Sequence, residues 1–242
     1  MNAAILLSGG IGHRMGLSVP KQYIRVSGQM LITYCLETML CHPMIDAVQI
    51  VAEEEWREAV LADVRERGLD TGKIRGFSVP GSERQSSVFH GLRDLKAWGA
   101  GRESLKDSVL IHDAVRPNLS AEQITACFAA LRGHEGVLPV LPMKDTVYLS
   151  SGGGRISKLL EREKVFAGQA PEVFDFEKYY EANVRLFPDG LQKIRGSTEP
   201  AVLAGMDVIM IPGDEKNYKI TTKGDLERFR KEKEERGTGG AR

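Results

Sequence analysis

The sequence predicts an α/β protein built on a mostly parallel, doubly wound sheet, and three observations lead there. Short apolar runs alternate along the chain with segments of helical period. The runs carry few polar residues, which is the pattern of strands covered on both faces rather than one. The glycine-rich and charged clusters that could carry chemistry follow directly on these runs, and in such sheets ligands bind beyond the carboxyl ends of the strands.

The strand candidates are AAILL (3–7), AVQIVA (47–52), GFSVP (76–80), SVLIHDAV (108–115), GVLPVLP (136–142) and DVIMIP (207–212). Helices are expected over 30–41, 54–67, 87–98 and 120–132, the last opening with Ser120 three residues before Gln123, a capping-box pattern. After Pro142 the rhythm breaks. MKDTVYLSSGGGRISKLL reads as two extended arms around Ser150-Ser151-Gly152-Gly153-Gly154, so a β-arm of about 143–165 should project from the sheet. The charged stretch of about 228–242, fading into a glycine-rich tail, is expected to be a solvated, frayed helix. With 242 residues the chain can bury a full core, and 1–242 is expected to form one catalytic domain.

Lys+Arg and Asp+Glu number 33 each. No net field therefore draws the molecule to nucleic acid or to an anionic membrane, and any anion must be held locally. Cys35, Cys41 and Cys127 lie in apolar, helix-like stretches without CxxC spacing and read as small buried hydrophobes of a reducing compartment. The apolar run after Met1-Asn2 is too short for a signal segment, and nowhere do about 18 apolar residues run together, so a cytoplasmic protein is expected.

Four clusters carry the chemistry. Ser8-Gly9-Gly10-Ile11-Gly12-His13-Arg14-Met15-Gly16 follows the first strand and closes with Pro20-Lys21-Gln22. Its glycines let backbone N–H groups approach an anion, and Arg14 and Lys21 add charge where a polyphosphate would sit. A Walker A pattern is absent, because Gly16 is followed by Leu17-Ser18, and a dinucleotide fingerprint through Gly10, Gly12 and Gly16 has its last spacing one residue too long. A turn-forming loop with two surface cations is the plainer reading of this cluster alone.

Gly81-Ser82-Glu83-Arg84-Gln85-Ser86-Ser87 comes next, with hydroxyls and N–H groups at a helix start that suit a base edge, ribose or phosphate; Ser86 or Ser87 could equally be an N-cap. In His112-Asp113-Ala114-Val115-Arg116-Pro117, a carboxylate at a strand end is well placed to hold Mg²⁺ against nucleotide phosphates, or to cap a helix or pair with Arg116. His112 faces the other side of the strand and receives no role. Lys219, within Asn217-Tyr218-Lys219-Ile220-Thr221, sits in a β-like pattern where a lysine needs an anionic partner or an exit to water.

Taken in order and spacing, these four segments resemble the polyol-phosphate cytidylyltransferases, which act on 2-C-methyl-D-erythritol 4-phosphate or ribitol 5-phosphate. The resemblance runs from Ala3 to about Leu226. It implies a Rossmann-like nucleotide-diphospho-sugar transferase fold with a β-arm exchanged across a homodimer, CTP as co-substrate, and Mg²⁺ on Asp113. Ser8, Gly9, Gly10, Gly12, Gly81, Ser82, Ser87, Asp113 and Ala114 would hold CTP and its metal. Arg14 and Lys21 would stabilise the transition state, Lys219 would bind the α-phosphate, and Arg116, Thr146 and Arg162 would serve the substrates, the last two reaching the partner subunit's polyol phosphate. The chain departs from the family pattern where Thr-Pro-Gln is usual, carrying Ala170-Pro171-Glu172, and at Ser197-Thr198-Glu199-Pro200. Methylerythritol phosphate is the first expectation for the acceptor. Ribitol 5-phosphate, or a nucleotide-binding regulatory module without turnover, are the alternatives.

Overall fold

The computed structural model describes residues 1–10, 19–100 and 108–239, with side chains through 235. Strands β1 (Asn2–Leu7), β2 (Arg25–Val26), β3 (Gln29–Met30), β4 (Ala47–Val51), β5 (Ile74–Ser78) and β6 (Ser108–Asp113) are interleaved with helices α1 (Leu31–Cys41), α2 (Glu54–Glu66) and α3 (Arg84–Gly99). After α4 (Ala121–Ala130) come β7 (Gly136–Pro142), β8 (Tyr148–Ser150), β9 (Ile156–Leu159), β10 (Phe166–Gly168) and β11 (Glu172–Asp175). The chain then forms α5 (Phe176–Leu186), α6 (Glu199–Leu203), β12 (Val208–Pro212) and α7 (Lys223–Gly239).

The main sheet has the order β10-β7-β11-β6-β1-β4-β5, with β12 also pairing β7. Its centre, β6-β1-β4-β5, is parallel throughout. Side-chain alternation divides the core into two layers. Ala4, Leu6, Val48, Ile50 and Leu110 face α1, α2 and α4, meeting Ile32, Leu36, Val64 and Phe128. Ala3, Ile5, Ala47, Val109 and Ile111 face α3 and α5, meeting Val88, Leu92 and Tyr179. Both faces of each central strand are thus covered by helices, as the uninterrupted apolar runs require.

The expected strands and helices are present with shifted ends, and Ser120 caps α4 by accepting from the Gln123 amide at 3.1 Å. The arm is the separate antiparallel pair β8–β9, turning through Gly152, Gly153 and Gly154 at φ of 107°, 67° and 73°, which side chains other than glycine rarely adopt.

Four expectations need correction, and one strand falls outside them. Glu172–Asp175 is an internal antiparallel strand, inserted between β6 and β7 with Val173 and Phe174 fully buried. Its two apolar residues, Val173 and Phe174, are too few to announce a strand. Helix α3 begins at Arg84, three residues ahead of the expected start, so neither Ser86 nor Ser87 is its N-cap. Cys41 is exposed, while Cys35 and Cys127 are buried. Residues 217–222 form an extended strap, tied to the core where the Ile220 amide donates to the Val115 carbonyl at 2.8 Å, and not a strand. Finally, α7 is anchored at its start: Leu226 and Phe229 bury with Val26, Leu31 and Ile220 in a third cluster, while Arg230, Lys231, Glu234 and Glu235 are exposed as expected. Its charged residues obscure that apolar stripe in the sequence.

Asp63 of α2 is fully buried and binds the β2–β3 hairpin, accepting from the Met30 amide at 3.0 Å and the Thr33 hydroxyl and pairing with Arg25 at 2.7 Å. Removing it strands a buried N–H and hydroxyl. Asp63→Ala should therefore lower unfolding stability by about 2–4 kcal/mol, measured by urea denaturation; a loss below about 0.5 kcal/mol would show that water replaces the carboxylate.

Candidate active site

β1 and β6 lie side by side with Leu7 opposite Asp113, so the residues that follow them emerge together at one sheet edge. The Ala114 amide donates to the Leu7 carbonyl at 2.9 Å. Ser8 is anchored to β4, its hydroxyl donating to the Val51 carbonyl at 2.6 Å. The glycine loop is then held from Lys21-Gln22-Tyr23: the buried Gln22 amide donates to the carbonyls of Ser8 and Gly10, and the Tyr23 hydroxyl also donates to Ser8. Gln22 is therefore a clamp on the loop.

Two glycines are required here by close approach. A Cβ on Gly9 would lie 2.4 Å from the Pro80 Cβ, and one on Gly81 would lie 2.4 Å from the Ser86 Cβ. Their absence lets the first loop touch the second, and lets the second fold back on the start of α3. Ser87 closes that turn, accepting from the Gly81 amide at 2.9 Å while donating to the Glu83 carbonyl. Ser82 and Gly10 are exposed. Gly12 and Arg14 lie outside the described residues.

Asp113 collects three cations. Arg84 donates from Nε and Nη2 to Oδ1, both at 3.0 Å; Lys219 Nζ lies 3.0 Å from Oδ2, and Arg116 Nε lies 3.6 Å from the same oxygen. Burial opposes ionisation of Asp113, but Arg84, Lys219 and Arg116 outweigh it and hold the carboxyl far below the usual range. Lys21 reaches the same strap from the other side, its ammonium donating to the Ile220 carbonyl at 3.2 Å. His112, on the opposite strand face, is pushed down to about 4 by burial and places Nε2 at 3.1 Å from the Arg116 carbonyl, the neutral core histidine expected.

Three residues of this cluster escaped the sequence reading. Arg84 also donates to the Ser197 hydroxyl. A cation in the first turn of a helix opposes the helix dipole, and that misfit was the available signal of a nearby buried anion. Glu172 lies on the same sheet face as Asp113 through its pairing with Ile111, and its Oε2 has no hydrogen-bond partner among the described residues. Ser197 stands out only as part of a departure from the family pattern, since its place depends on packing against Arg84 and Tyr179.

Thr146 and Arg162 belong to the arm instead. Arg162 follows β9, donates to the Lys144 carbonyl at 3.1 Å and is half exposed, and Thr146 is exposed. Among the described residues no contact joins them to the Asp113 cluster. A cavity of about 550 Å³ lies behind the strap, lined by Tyr34, Glu37, Asn118, Asp214 and Lys216, and none of the expected site residues lines it.

Among the described residues no group of three His, Cys, Asp or Glu side chains could cage a metal. Asp113 remains a single hard oxygen donor, which suits Mg²⁺ only when phosphate oxygens complete its shell. Glycine loop, converging cations and one carboxylate beyond a parallel sheet suit the transfer of a nucleotide, and the protein is a nucleotidyltransferase. The profile of IspD, 2-C-methyl-D-erythritol 4-phosphate cytidylyltransferase, matches residues 2–230. The chain is 33% identical to the 2-C-methyl-D-erythritol 4-phosphate cytidylyltransferase of Neorickettsia sennetsu, across 93% of each chain. It is 26% identical to the ribitol-5-phosphate cytidylyltransferase of Lacticaseibacillus paracasei, across 95% of this chain and 97% of that one. Other relatives are bifunctional IspD/IspF enzymes, of which the chain spans about half the length. The crystal structure of 4-diphosphocytidyl-2C-methyl-D-erythritol synthase from Anaerococcus prevotii superposes with a TM-score of 0.78 at 25% identity, covering 94% of this chain and 93% of that one. The chain belongs to the 2-C-methyl-D-erythritol 4-phosphate cytidylyltransferase family.

Glu172 yields a pH prediction. Burial raises its carboxyl above the usual value, only partly offset by Arg84 and Ser197. A carboxyl that ionises less readily folded than unfolded works against folding once pH exceeds its unfolded value, about 4.3. Glu172→Gln should therefore be more stable than the wild type at about pH 7.5, with the difference vanishing below about pH 4. Urea melts across this range would reveal the opposite sign if Arg84 and Arg116 held Glu172 as a net-favourable ion.

Proposed function

We propose that the chain, as one catalytic domain over 1–242, transfers the cytidylyl group of CTP to the phosphate of 2-C-methyl-D-erythritol 4-phosphate and releases pyrophosphate. The carrying observation is the cluster in which Lys219, Arg84 and Arg116 surround Asp113 beside the Ser8–Gly10 loop. Family membership supports the substrate pair. No helix among the described residues is long and apolar enough to cross a membrane, and we propose a cytoplasmic enzyme.

Two anions must meet. An oxygen of the acceptor phosphate attacks the α-phosphorus in line, a new P–O bond forms, and the bond to the bridging oxygen breaks so that its electron pair leaves with pyrophosphate. The acceptor oxygen is already ionised near neutral pH and needs no general base, so the buried neutral His112 has no part. Backbone N–H groups of Gly9, Gly10 and Gly12 cradle the triphosphate, and Ser8, whose own N–H donates to the Val51 carbonyl at 2.9 Å, anchors the start of that loop. Gly81, Ser82, Ser87 and Ala114 frame the cytidine. Arg14 and Lys21 match the charge that builds on the equatorial oxygens, and Lys219 turns from Asp113 to the α-phosphate. Asp113, relieved of Lys219, would hold Mg²⁺, which neutralises phosphate charge when bound.

We further propose a homodimer through the arm. Tyr148, Leu149, Ile156 and Leu159 are each more than half exposed on a two-stranded hairpin, and an isolated hairpin of this kind needs a partner surface. Thr146 and Arg162 then bind the acceptor phosphate in the partner's site, and Arg116 lies between the two substrates.

The direct test incubates the protein with CTP, Mg²⁺ and either methylerythritol phosphate or ribitol 5-phosphate and follows pyrophosphate. Release with the first acceptor is expected. Release with ribitol 5-phosphate alone would favour the reading that the Lacticaseibacillus relative supports, and CTP binding without turnover would leave a regulatory module. For the shared site, Lys219→Ala chains are mixed with Arg162→Ala chains, each nearly inactive alone. Random re-pairing should recover about a quarter of wild-type activity, since half the dimers are mixed and each has one intact site. No recovery after verified subunit exchange would place Arg162 in its own chain's site.

A further inference from the structure

We infer that Asp225 is a positioning residue for the transfer, because it fixes the turn through which α7 holds Lys219 and the Ile220 carbonyl in the site. The inference rests on the proposed reaction.

Asp225 Oδ2 accepts three hydrogen bonds: from the Thr221 amide at 2.9 Å, the Thr221 hydroxyl at 3.0 Å and the Thr222 amide at 2.8 Å. In return its own amide donates to the Thr222 hydroxyl at 3.2 Å. Thr222 and Asp225 thus form a reciprocal capping box at the start of α7, extended one residue outward onto Thr221. A box of this kind usually ends at the helix. Here the extra residue lies directly after Lys219-Ile220, so the cap also sets the path of the strap.

The strap is held at two more points by the same helix. Ile220 is fully buried against Leu226 and Phe229, and the Arg228 guanidinium lies 3.9 Å over the Tyr218 ring. Between them stands Lys219, on the one stretch with both ends fixed by α7. The Ile220 backbone joins the site on both sides, its amide to Val115 and its carbonyl to Lys21. A rotation of the Thr221–Thr222 turn would therefore shift Lys219 against Asp113 and Lys21 against the strap together. Asp225 itself touches none of the groups assigned to substrate.

The experiment compares Asp225→Ala with Asp225→Asn, which retains an oxygen acceptor for the same bonds, and with Thr221→Val, which removes one of the three. At a temperature where all are folded, Asp225→Ala should lower kcat by about tenfold or more while the KM for CTP rises only a few-fold, Asn should recover most of the loss, and Val should fall between. Hydrogen exchange should accelerate over 217–222 and stay unchanged in β1 and β6. A kcat within about twofold of wild type, or unchanged exchange in the strap, would overturn the inference. Should Asp225→Ala not fold, the Asn and Val variants decide it by the same two readouts. A wild type that releases no pyrophosphate with either acceptor would instead defeat the proposed reaction. Calorimetric binding of CTP with Mg²⁺ then decides Asp225, with equal affinity of variant and wild type counting against it.

Discussion

A carboxylate taken out of water at the end of a central strand must be matched by cations, and Asp113 is matched by three drawn from separate stretches of chain. Arg84 comes from the start of α3, Arg116 from the turn after β6, and Lys219 from the strap before α7. An uncompensated buried charge costs several kcal/mol, so each of these stretches is drawn toward one point. The consequence reaches well beyond the ion pairs. Arg84 draws Ser197, and with it the approach to α6, into the same cluster, and Arg116 donates to the Asn217 carbonyl and ties the strap down from within.

Charge balance at that point explains why it suits a polyphosphate. Three cations face Asp113, and the second carboxyl in reach, Glu172, is made harder to ionise by its burial. The cluster therefore carries excess positive charge, which suits an anionic ligand. Steric constraint supplies the other half of the site. Gly9 against Pro80 and Gly81 against Ser86 allow two loops to touch where any side chain would force them apart. The floor of the site is thus backbone, and its wall is cationic.

Much of this was legible in the sequence, and the reasons are local. Central strands covered on both faces leave unbroken apolar runs, so β1, β4, β6 and β7 could be read directly. Loops that follow such strands carry glycines and charges visible as clusters, which brought out Ser8–Gly12, Gly81–Ser87, Asp113 and Lys219. What escaped depends on packing between distant segments. β11 is four residues long and enters the sheet antiparallel because the chain returns from the arm, and no periodicity in Glu172–Asp175 encodes that. The buried stripe of α7 is Leu226 and Phe229 among charged residues, too sparse to outweigh them in a reading by composition. Gln22 and Ser197 act through backbone or partner contacts that any polar residue could have made on paper.

In the proposed reaction the two substrate ends of the site rest on different constraints, and this bears on how the acceptor is chosen. The CTP end is fixed by buried ion pairs and glycine contacts within one chain, where substitution meets immediate steric or electrostatic cost. The acceptor end depends on a hairpin whose apolar side chains lie open to solvent and whose tip is three glycines in left-handed conformations. A Cβ added at Gly152, Gly153 or Gly154 would meet no atom within 4 Å, so packing does not restrict side-chain size at the tip. The departures from the family pattern, at Ala170-Pro171-Glu172 and Ser197 to Pro200, do not lie on the hairpin: Glu172 and Ser197 stand in the Arg84 cluster beside Asp113, so a change at either is felt by Arg84 and, through it, by Asp113.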